Sequence, residues 1–238
     1  MDNSEIKTHI DAIIEKTFEV LKAVYKNQRE PKNKEQKTEH LFHVGSRIIF
    51  PKYSEKYRNG ETRLSEQELR FIFVEQFNEY CTKKEINWFY SVETPTEYKY
   101  SFKDDEPKLD NKDGQSAMFD LVIHDKELHR IAFIEFKALN PDKSCFTKDF
   151  LKLREEGGEK IVTYFILYVK SYKTNDNNPN YDTIASLYSK IEEPIDSEDK
   201  KFKHDKTELR CYVLEPNAKK DQKSHIEENI KTYKTPNS

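Results

Sequence analysis

The stretch Gln115–Asn140, QSAMFDLVIHDKELHRIAFIEFKALN, decides the fold, because it holds two short apolar runs separated by a polar loop. The runs from Phe119 to Ile123 and from Ile131 to Phe136 are β-branched and aromatic, which is typical of adjacent antiparallel strands. Both runs are apolar on both faces, as in a sheet that is covered by helices. We therefore expect a β-hairpin inside a buried sheet.

The polar loop sets the register of this hairpin. A loop of four residues, Lys126 to His129, would pair Asp125 with Arg130. Continuing that register places Asp120 directly opposite Glu135, with the two Cβ atoms about 5 Å apart. The sequence therefore predicts two facing carboxylates within otherwise apolar strands.

Two carboxylates at this separation repel each other, and a shared proton or a bound cation relieves the repulsion. Oxygen ligands with an open, wet side suit Mg²⁺, which keeps several of its waters. Lys137 lies on the same face of its strand as Glu135, because side chains alternate with a period of two. An ammonium there could position a metal-bound water or stabilise a phosphate in its transition state. The pattern predicts metal-assisted hydrolysis of a phosphodiester, with Asp120 and Glu135 as metal ligands.

The order of these residues resembles the PD-(D/E)XK nuclease superfamily, also called restriction-endonuclease-like. The matching features are Asp120 and a hydrophobic strand that ends in IEFKA, with Glu135 and Lys137. Phe119 stands where the family has a proline. The resemblance covers roughly Leu64 to Pro216. It implies a nuclease that uses Mg²⁺, with Mn²⁺ as a substitute. We expect DNA as the substrate, and RNA stays open as the alternative.

A helix before the hairpin offers a further metal ligand. Ser65 and Glu68 have the spacing of a capping box. Glu66 points along the inward face of this helix, where it could simply interact with the helix dipole. The Glu-x-Glu-Leu arrangement resembles the first helix of many PD-(D/E)XK nucleases, and this resemblance makes Glu66 a ligand, directly or through water, with Glu75 as the fallback. The backbone carbonyl of Phe136 could complete the metal site.

We expect three regions in an α/β protein. Residues 1–63 hold an N-terminal helix from Ser4 to Lys26, a charged linker and a basic, aromatic segment. Residues 64–216 form the nuclease-like domain, a mixed central β-sheet flanked by helices, with the strand from Ile161 to Val169 at its centre. Residues 217–238 form a polar tail, which we expect to be flexible.

Several basic residues and histidines remain open to two interpretations. From Leu41 to Arg63, basic and aromatic residues alternate, which suits a phosphate-binding surface and an ordinary amphipathic loop equally. Lys148 and Lys152, on the helix that follows the hairpin, are either phosphate contacts or exposed solubilising charges. His40 and His43 have no further ligands nearby, so we interpret them as structural.

Composition limits the remaining alternatives. The net charge of −3 gives no global basic field, so any nucleic-acid surface must be local. There is no membrane span, no signal peptide and no nucleotide-binding glycine motif, and three scattered cysteines suggest no disulfide framework. We expect a protein of the reducing cytoplasm. A homodimer, which would cut two strands with two sites, stays open. The alternative function is a non-catalytic module that binds nucleic acid or protein on a nuclease-like scaffold.

Overall fold

The structure is a computed structural model that describes residues 1–29, 46–56, 62–102, 108–138, 143–158, 160–172, 207–216 and 230–232. The chain divides into two compact units, Ser4–Asn87 and Trp88–Ser238, and the second unit also includes Met1–Asn3. This division lies later in the chain than the boundary expected after residue 63. The predicted helix from Tyr181 to Ile191 lies outside the described residues, as do His40 and His43.

The first unit contains two long helices, α1 (Asn3–Arg29) and α2 (Glu66–Lys84). Apolar residues recur along α1 every three or four positions, which places them on one face of the helix. All of the predicted stripe is buried, which confirms the helix and its inward face: Ile6, Ile10, Ile13, Ile14, Phe18, Leu21 and Tyr25.

Helix α2 begins with the predicted capping box. The Ser65 N–H donates to Glu68 Oε2 at 2.9 Å, and the Ser65 hydroxyl contacts the same carboxylate oxygen. Such a cap contributes about 0.5–2 kcal/mol to helix stability. The helix ends at Glu85, which adopts a left-handed conformation with φ of 56°. Tyr80, predicted to be buried, is only half-buried, and its hydroxyl lies 2.9 Å from His9 Nδ1 on α1.

The second unit is built on one mixed sheet, which has seven strands within the described residues. The strands are β1 (Phe89–Ser101), β2 (Lys108–Leu109), β3 (Gln115–His124), β4 (Arg130–Ala138), β5 (Val162–Tyr172), β6 (Thr207–Pro216) and β7 (Ile230–Thr232). Their order in the sheet is β2-β1-β3-β4-β5-β6-β7. The pairs β4/β5 and β5/β6 are parallel, and the other pairs are antiparallel. Strand β7 lies within the stretch expected to be a flexible tail.

Helix α3 (Lys143–Glu156) connects β4 to β5, because parallel neighbours need a long crossover. It contacts β1, β4, β5 and β6. The Phe150 ring of α3 stacks on the Phe165 ring of β5, with centroids 4.6 Å apart. These features confirm the expected α/β class and the mixed sheet. Among the helices of the described ranges, none is long and apolar enough to cross a membrane.

The β3–β4 hairpin has the predicted register but not the predicted turn. Leu121 pairs with Ile134, and one further step along the same register places Asp120 opposite Glu135. At the turn, however, His124 rather than Asp125 pairs with Arg130, so the predicted four-residue loop is wrong. An irregularity in the ladder next to His124 absorbs this difference, as β-bulges do. The residues of interest therefore keep their predicted positions.

The end of α3 is attached to an irregular part of β1. The Glu156 carboxylate accepts N–H bonds from Glu97 at 2.9 Å and Tyr98 at 2.8 Å. It also accepts the Tyr100 hydroxyl at 3.0 Å, and burial together with this carboxylate raises the pKa of Tyr100. Strand β1 runs on through the irregularity that follows Pro95, because the Glu156 carboxylate replaces missing ladder partners there.

Candidate active site

Asp120 lies on β3, one residue beyond the last backbone pair between β3 and β4. Its Oδ2 accepts the backbone N–H of Phe136 at 2.7 Å, which fixes the carboxylate beside β4. The side chain is half-buried, so it keeps some access to solvent. Asp120 and Glu135 therefore come together, as their predicted register requires.

Glu135 lies in the middle of β4 and is 1% exposed. The Lys152 ammonium lies 2.6 Å from Glu135 Oε1, so the two side chains form a buried ion pair. Burial, with help from Asp149 and Asp120, raises the pKa of Glu135 well above its ordinary value, and Lys152 opposes this rise. Glu135 is thus a carboxylate that needs a cation to stay ionised.

Helix α3 brings that cation, together with a third acid. Lys152 Nζ lies 2.8 Å from Asp149 Oδ1 and donates to the Met118 carbonyl at 2.7 Å. Burial alone would lower the pKa of Lys152, but the Glu135 and Asp149 carboxylates outweigh burial and raise it. Lys152 is therefore a buried ammonium surrounded by three oxygens.

Lys137 joins the same cluster from β4. Its Nζ lies 2.8 Å from Asp149 Oδ2, so Asp149 bridges the two lysines through its two oxygens. The Lys137 side chain is 15% exposed, compared with 4% for Lys152. Lys137 is thus the lysine of the cluster with more access to solvent.

The cluster has three carboxylates and two ammonium groups, which leaves one negative charge in excess when every group is ionised. Like charges this close are unfavourable in a partly dry setting, and each buried ion costs several kcal/mol in lost hydration. The two lysines offset most of this cost, and the remaining negative charge favours one further cation.

Sequence reasoning found three of these five side chains and missed two. Asp149 was not considered, and the interpretation of Lys152 as an exposed solubilising charge is wrong, because Lys152 is 4% exposed. A signal was present: Asp149 and Lys152 directly precede the buried Phe150 and Leu153, so the two charges lie next to the apolar stripe of α3. Lys148 is half-buried, and its ammonium lies 4.0 Å from the centroid of the Phe102 ring.

The remaining predicted ligands stay predictions. Glu66 is the first residue of α2, half-buried, and belongs to the first unit rather than to the unit that contains Asp120. Glu75, its fallback, is half-buried on the same helix. The Phe136 side chain is fully buried, and its N–H is bound by Asp120, which leaves the role of its carbonyl as a metal ligand a prediction.

The basic, aromatic segment is described only in part. Phe50 is buried and meets Tyr25 of α1 edge-on, with centroids 5.9 Å apart, so this aromatic packs in the core. Its described basic residues are exposed: Arg47, Lys52, Lys56 and Arg63. Exposed basic residues fit a phosphate-binding surface and a solvated loop alike.

A second group of possible metal ligands lies in the β3–β4 turn. Single ligand atoms of Asp125, Glu127 and His129 all lie within 4.8 Å of one another. Asp125 Oδ1 already accepts the backbone N–H groups of Glu127 and His129, and these bonds lower the pKa of Asp125. These bonds close the turn, so the group has a structural role without any metal.

Comparison of the chain with protein-family models, with curated proteins and with solved structures finds no match. The atoms of the site itself therefore define its possible chemistry. Those atoms are three carboxylates, two ammonium groups and one backbone carbonyl, gathered where β3, β4 and α3 meet.

Proposed function

We propose that the chain is a nuclease that hydrolyses phosphodiester bonds, in DNA, with Mg²⁺ or its substitute Mn²⁺. One observation carries the proposal: Asp120, Glu135 and Lys137 meet in one cluster, whose buried carboxylate, Glu135, is held beside an ammonium. The resemblance to PD-(D/E)XK nucleases supports it, since these three residues are the ones that match the motif.

The donor set fits a hard divalent cation. Mg²⁺ and Mn²⁺ prefer carboxylate and carbonyl oxygens. Three oxygens already surround one cation in this structure, at 2.6–2.8 Å from the Lys152 ammonium. Asp120 adds a half-buried carboxylate next to them. Asp120, Glu135 and Asp149 each offer carboxylate oxygens, which hard divalent cations prefer.

Each residue then has a role. Asp120 and Glu135 hold the metal, with the Phe136 carbonyl as a further ligand. Such an ion lowers the pKa of bound water and neutralises charge on the phosphate. Lys137, the more exposed lysine, positions the attacking water and stabilises the developing negative charge on the phosphate. Asp149 orients Lys137 through Oδ2.

The order of elements also supports a restriction-endonuclease-like core. Helix α2 precedes the antiparallel strands β1, β3 and β4, and the crossover helix α3 then leads to the parallel strand β5. Asp120 lies where the β3/β4 pairing stops, so its side chain is free of the ladder and turns towards the Phe136 N–H.

A second candidate function has an observation of its own. Lys137 and Lys152 already neutralise most of the acid charge without a metal. A cluster that is balanced in this way can serve as a rigid scaffold, and the chain would then be a non-catalytic module that binds nucleic acid or protein. Such a module keeps its binding function in a chelator, whereas the nuclease loses its activity.

The test compares Glu135→Gln with the matched control Glu127→Gln, an exposed acid of the hairpin turn. Isothermal titration with Mn²⁺ and incubation with supercoiled plasmid and single-stranded DNA are run on both variants. We expect Glu135→Gln to lose metal binding and to cleave at least about 100-fold more slowly, since even second-shell partners of metal ligands contribute 10–100-fold. Glu127→Gln should match the wild type.

The control also separates the two acidic groups. Loss of metal binding in Glu127→Gln alone would place the ion in the hairpin turn and contradict the proposal. DNA that stays intact with a wild type that binds no metal would leave the scaffold function. The first product reports on assembly, because linear DNA without a nicked intermediate indicates two sites acting together, as in a homodimer.

A further inference from the structure

The Lys152 ammonium lies where a cation would be expected to bind. It is within 2.8 Å of Glu135 Oε1, Asp149 Oδ1 and the Met118 carbonyl oxygen. An ammonium has three N–H donors, so all three have an oxygen to face. The side chain is 4% exposed, which means that these oxygens cannot be satisfied by bulk water. Three oxygens thus form a cation-binding site, and the Lys152 ammonium occupies it.

We propose that Lys152 is an internal competitor for the divalent metal, so that a metal ion that binds Glu135 weakens or breaks the Lys152–Glu135 ion pair. The inference rests on the proposed function, because it assumes that Glu135 is a metal ligand. The Lys152 ammonium lies 2.6 Å from Glu135 Oε1, so a divalent ion on the same carboxylate would share its single negative charge and repel the ammonium.

The displaced ammonium has partners left. Asp149 Oδ1 and the Met118 carbonyl remain within reach when the pair with Glu135 breaks. Lys152 therefore need not leave the core, and a metal ion exchanges one ion pair for another. The exchange is reversible. By linkage, Lys152 lowers the affinity of the site for the metal ion by the same factor by which the bound metal ion weakens the Lys152–Glu135 ion pair.

The Lys152–Glu135 ion pair also explains how the protein can keep Glu135 buried when no metal is bound. Removing one partner of a buried ion pair leaves an uncompensated charge, which is strongly destabilising. Lys152 supplies that partner in the metal-free protein, at the cost of weaker metal binding. Lys152 thus sets a threshold of metal concentration, and below this threshold Glu135 stays paired with the Lys152 ammonium.

The test is Mn²⁺ titration of Lys152→Met, which keeps an unbranched chain but removes the charge. Lys148→Met is the matched control, because Lys148 lies one turn earlier on α3 and contacts the Phe102 ring instead of the acids. We expect Lys152→Met to bind Mn²⁺ roughly 5–150-fold more tightly than the wild type, the usual range of coupling between two ligands. Lys148→Met should bind like the wild type.

A second readout does not depend on affinity. In EDTA, Lys152→Met should melt at a lower temperature than the wild type, and saturating Mn²⁺ should raise its melting temperature by more. If Lys152→Met fails to fold without metal, Lys152→Gln, which is neutral but still a donor, is titrated in its place. The same tighter binding is expected for it.

The outcomes separate this inference from the proposed function. A wild type that binds Mn²⁺ and cleaves DNA, with a Lys152→Met variant that binds equally well or more weakly, overturns the competition and leaves the nuclease intact. Absence of Mn²⁺ binding in the wild type and in both Lys152 variants overturns the nuclease and the competition together.

Discussion

Burial changes the chemistry of single side chains in both units. Glu135 is held beside an ammonium, which lets a carboxylate exist inside a sheet. Cys81 on α2 is 7% exposed and free, with no charged partner to favour its thiolate. Burial therefore raises the pKa of Cys81 from 9.0 to about 11. The two residues show opposite ways of handling a buried ionisable group.

The raised pKa predicts a slow thiol. At pH 8 a shift from 9.0 to about 11 leaves about 100-fold less thiolate, and the thiolate is the form that reacts. We expect Cys81 to be alkylated by iodoacetamide at least that much more slowly in the folded protein than in urea, with the rate rising steeply as the pH approaches 11. Peptide mapping by mass spectrometry at timed intervals measures this. Equal rates in the two states would contradict the assigned burial.

The turn of the β3–β4 hairpin combines a defined strand register with a strained backbone. Its strands keep the register that faces Asp120 with Glu135, although the turn itself is irregular. Leu128 adopts φ of 66° in this turn and is 64% exposed. A leucine in the left-handed region is strained by roughly 1–2 kcal/mol. The hairpin thus stores strain in its turn, at the end that lies away from Asp120 and Glu135.

Leu128→Gly should relieve this strain. Glycine adopts positive φ freely, but it also adds freedom to the unfolded chain, so we expect a net gain of up to about 1 kcal/mol in the free energy of unfolding. The control is Lys126→Gly in the same turn, where φ is not positive and the substitution should destabilise. Urea denaturation of both variants gives the answer, and a loss of stability in Leu128→Gly would show that its side chain packs more than its exposure suggests.

The hairpin also marks how far sequence reasoning can reach. Asp120, Glu135 and Lys137 were predictable because strand alternation and hairpin register are local rules. Asp149 and Lys152 were not, because their roles depend on how α3 rotates against the sheet. That rotation is set by contacts such as Phe150 on Phe165, which join residues on different elements. The turn was predicted wrongly because a bulge leaves no clear signal in composition.

Charge is the relevant property at the scale of the whole molecule. The chain has 41 basic and 44 acidic residues, so it has no overall field that would attract DNA. The candidate site has an excess of acid as well. Binding of a polyanion must then depend on a cation at the site or on a local basic surface.

This charge balance predicts DNA binding that depends on a divalent ion. Ca²⁺ prefers the same oxygen ligands as Mg²⁺, with looser geometry. We expect fluorescence anisotropy to show at least about fivefold tighter binding of a labelled duplex with Ca²⁺ than with EDTA, the lower end of typical coupling. A gel run afterwards confirms that the oligonucleotide is intact. Equal affinity in EDTA would locate the binding surface away from the acids and favour the non-catalytic module.

The site residues lie close together along the chain, and this determines the order in which they emerge during synthesis. All five charged side chains fall between Met118 and Lys152, so the β3–β4 hairpin leaves the ribosome before α3, and α3 before β5. Until Phe165 of β5 has emerged to stack on Phe150, α3 lacks a main contact with the sheet. A nascent hairpin therefore presents Asp120 and Glu135 to water as ordinary acids. Glu135 gains its ion pair with Lys152 only when the following helix docks.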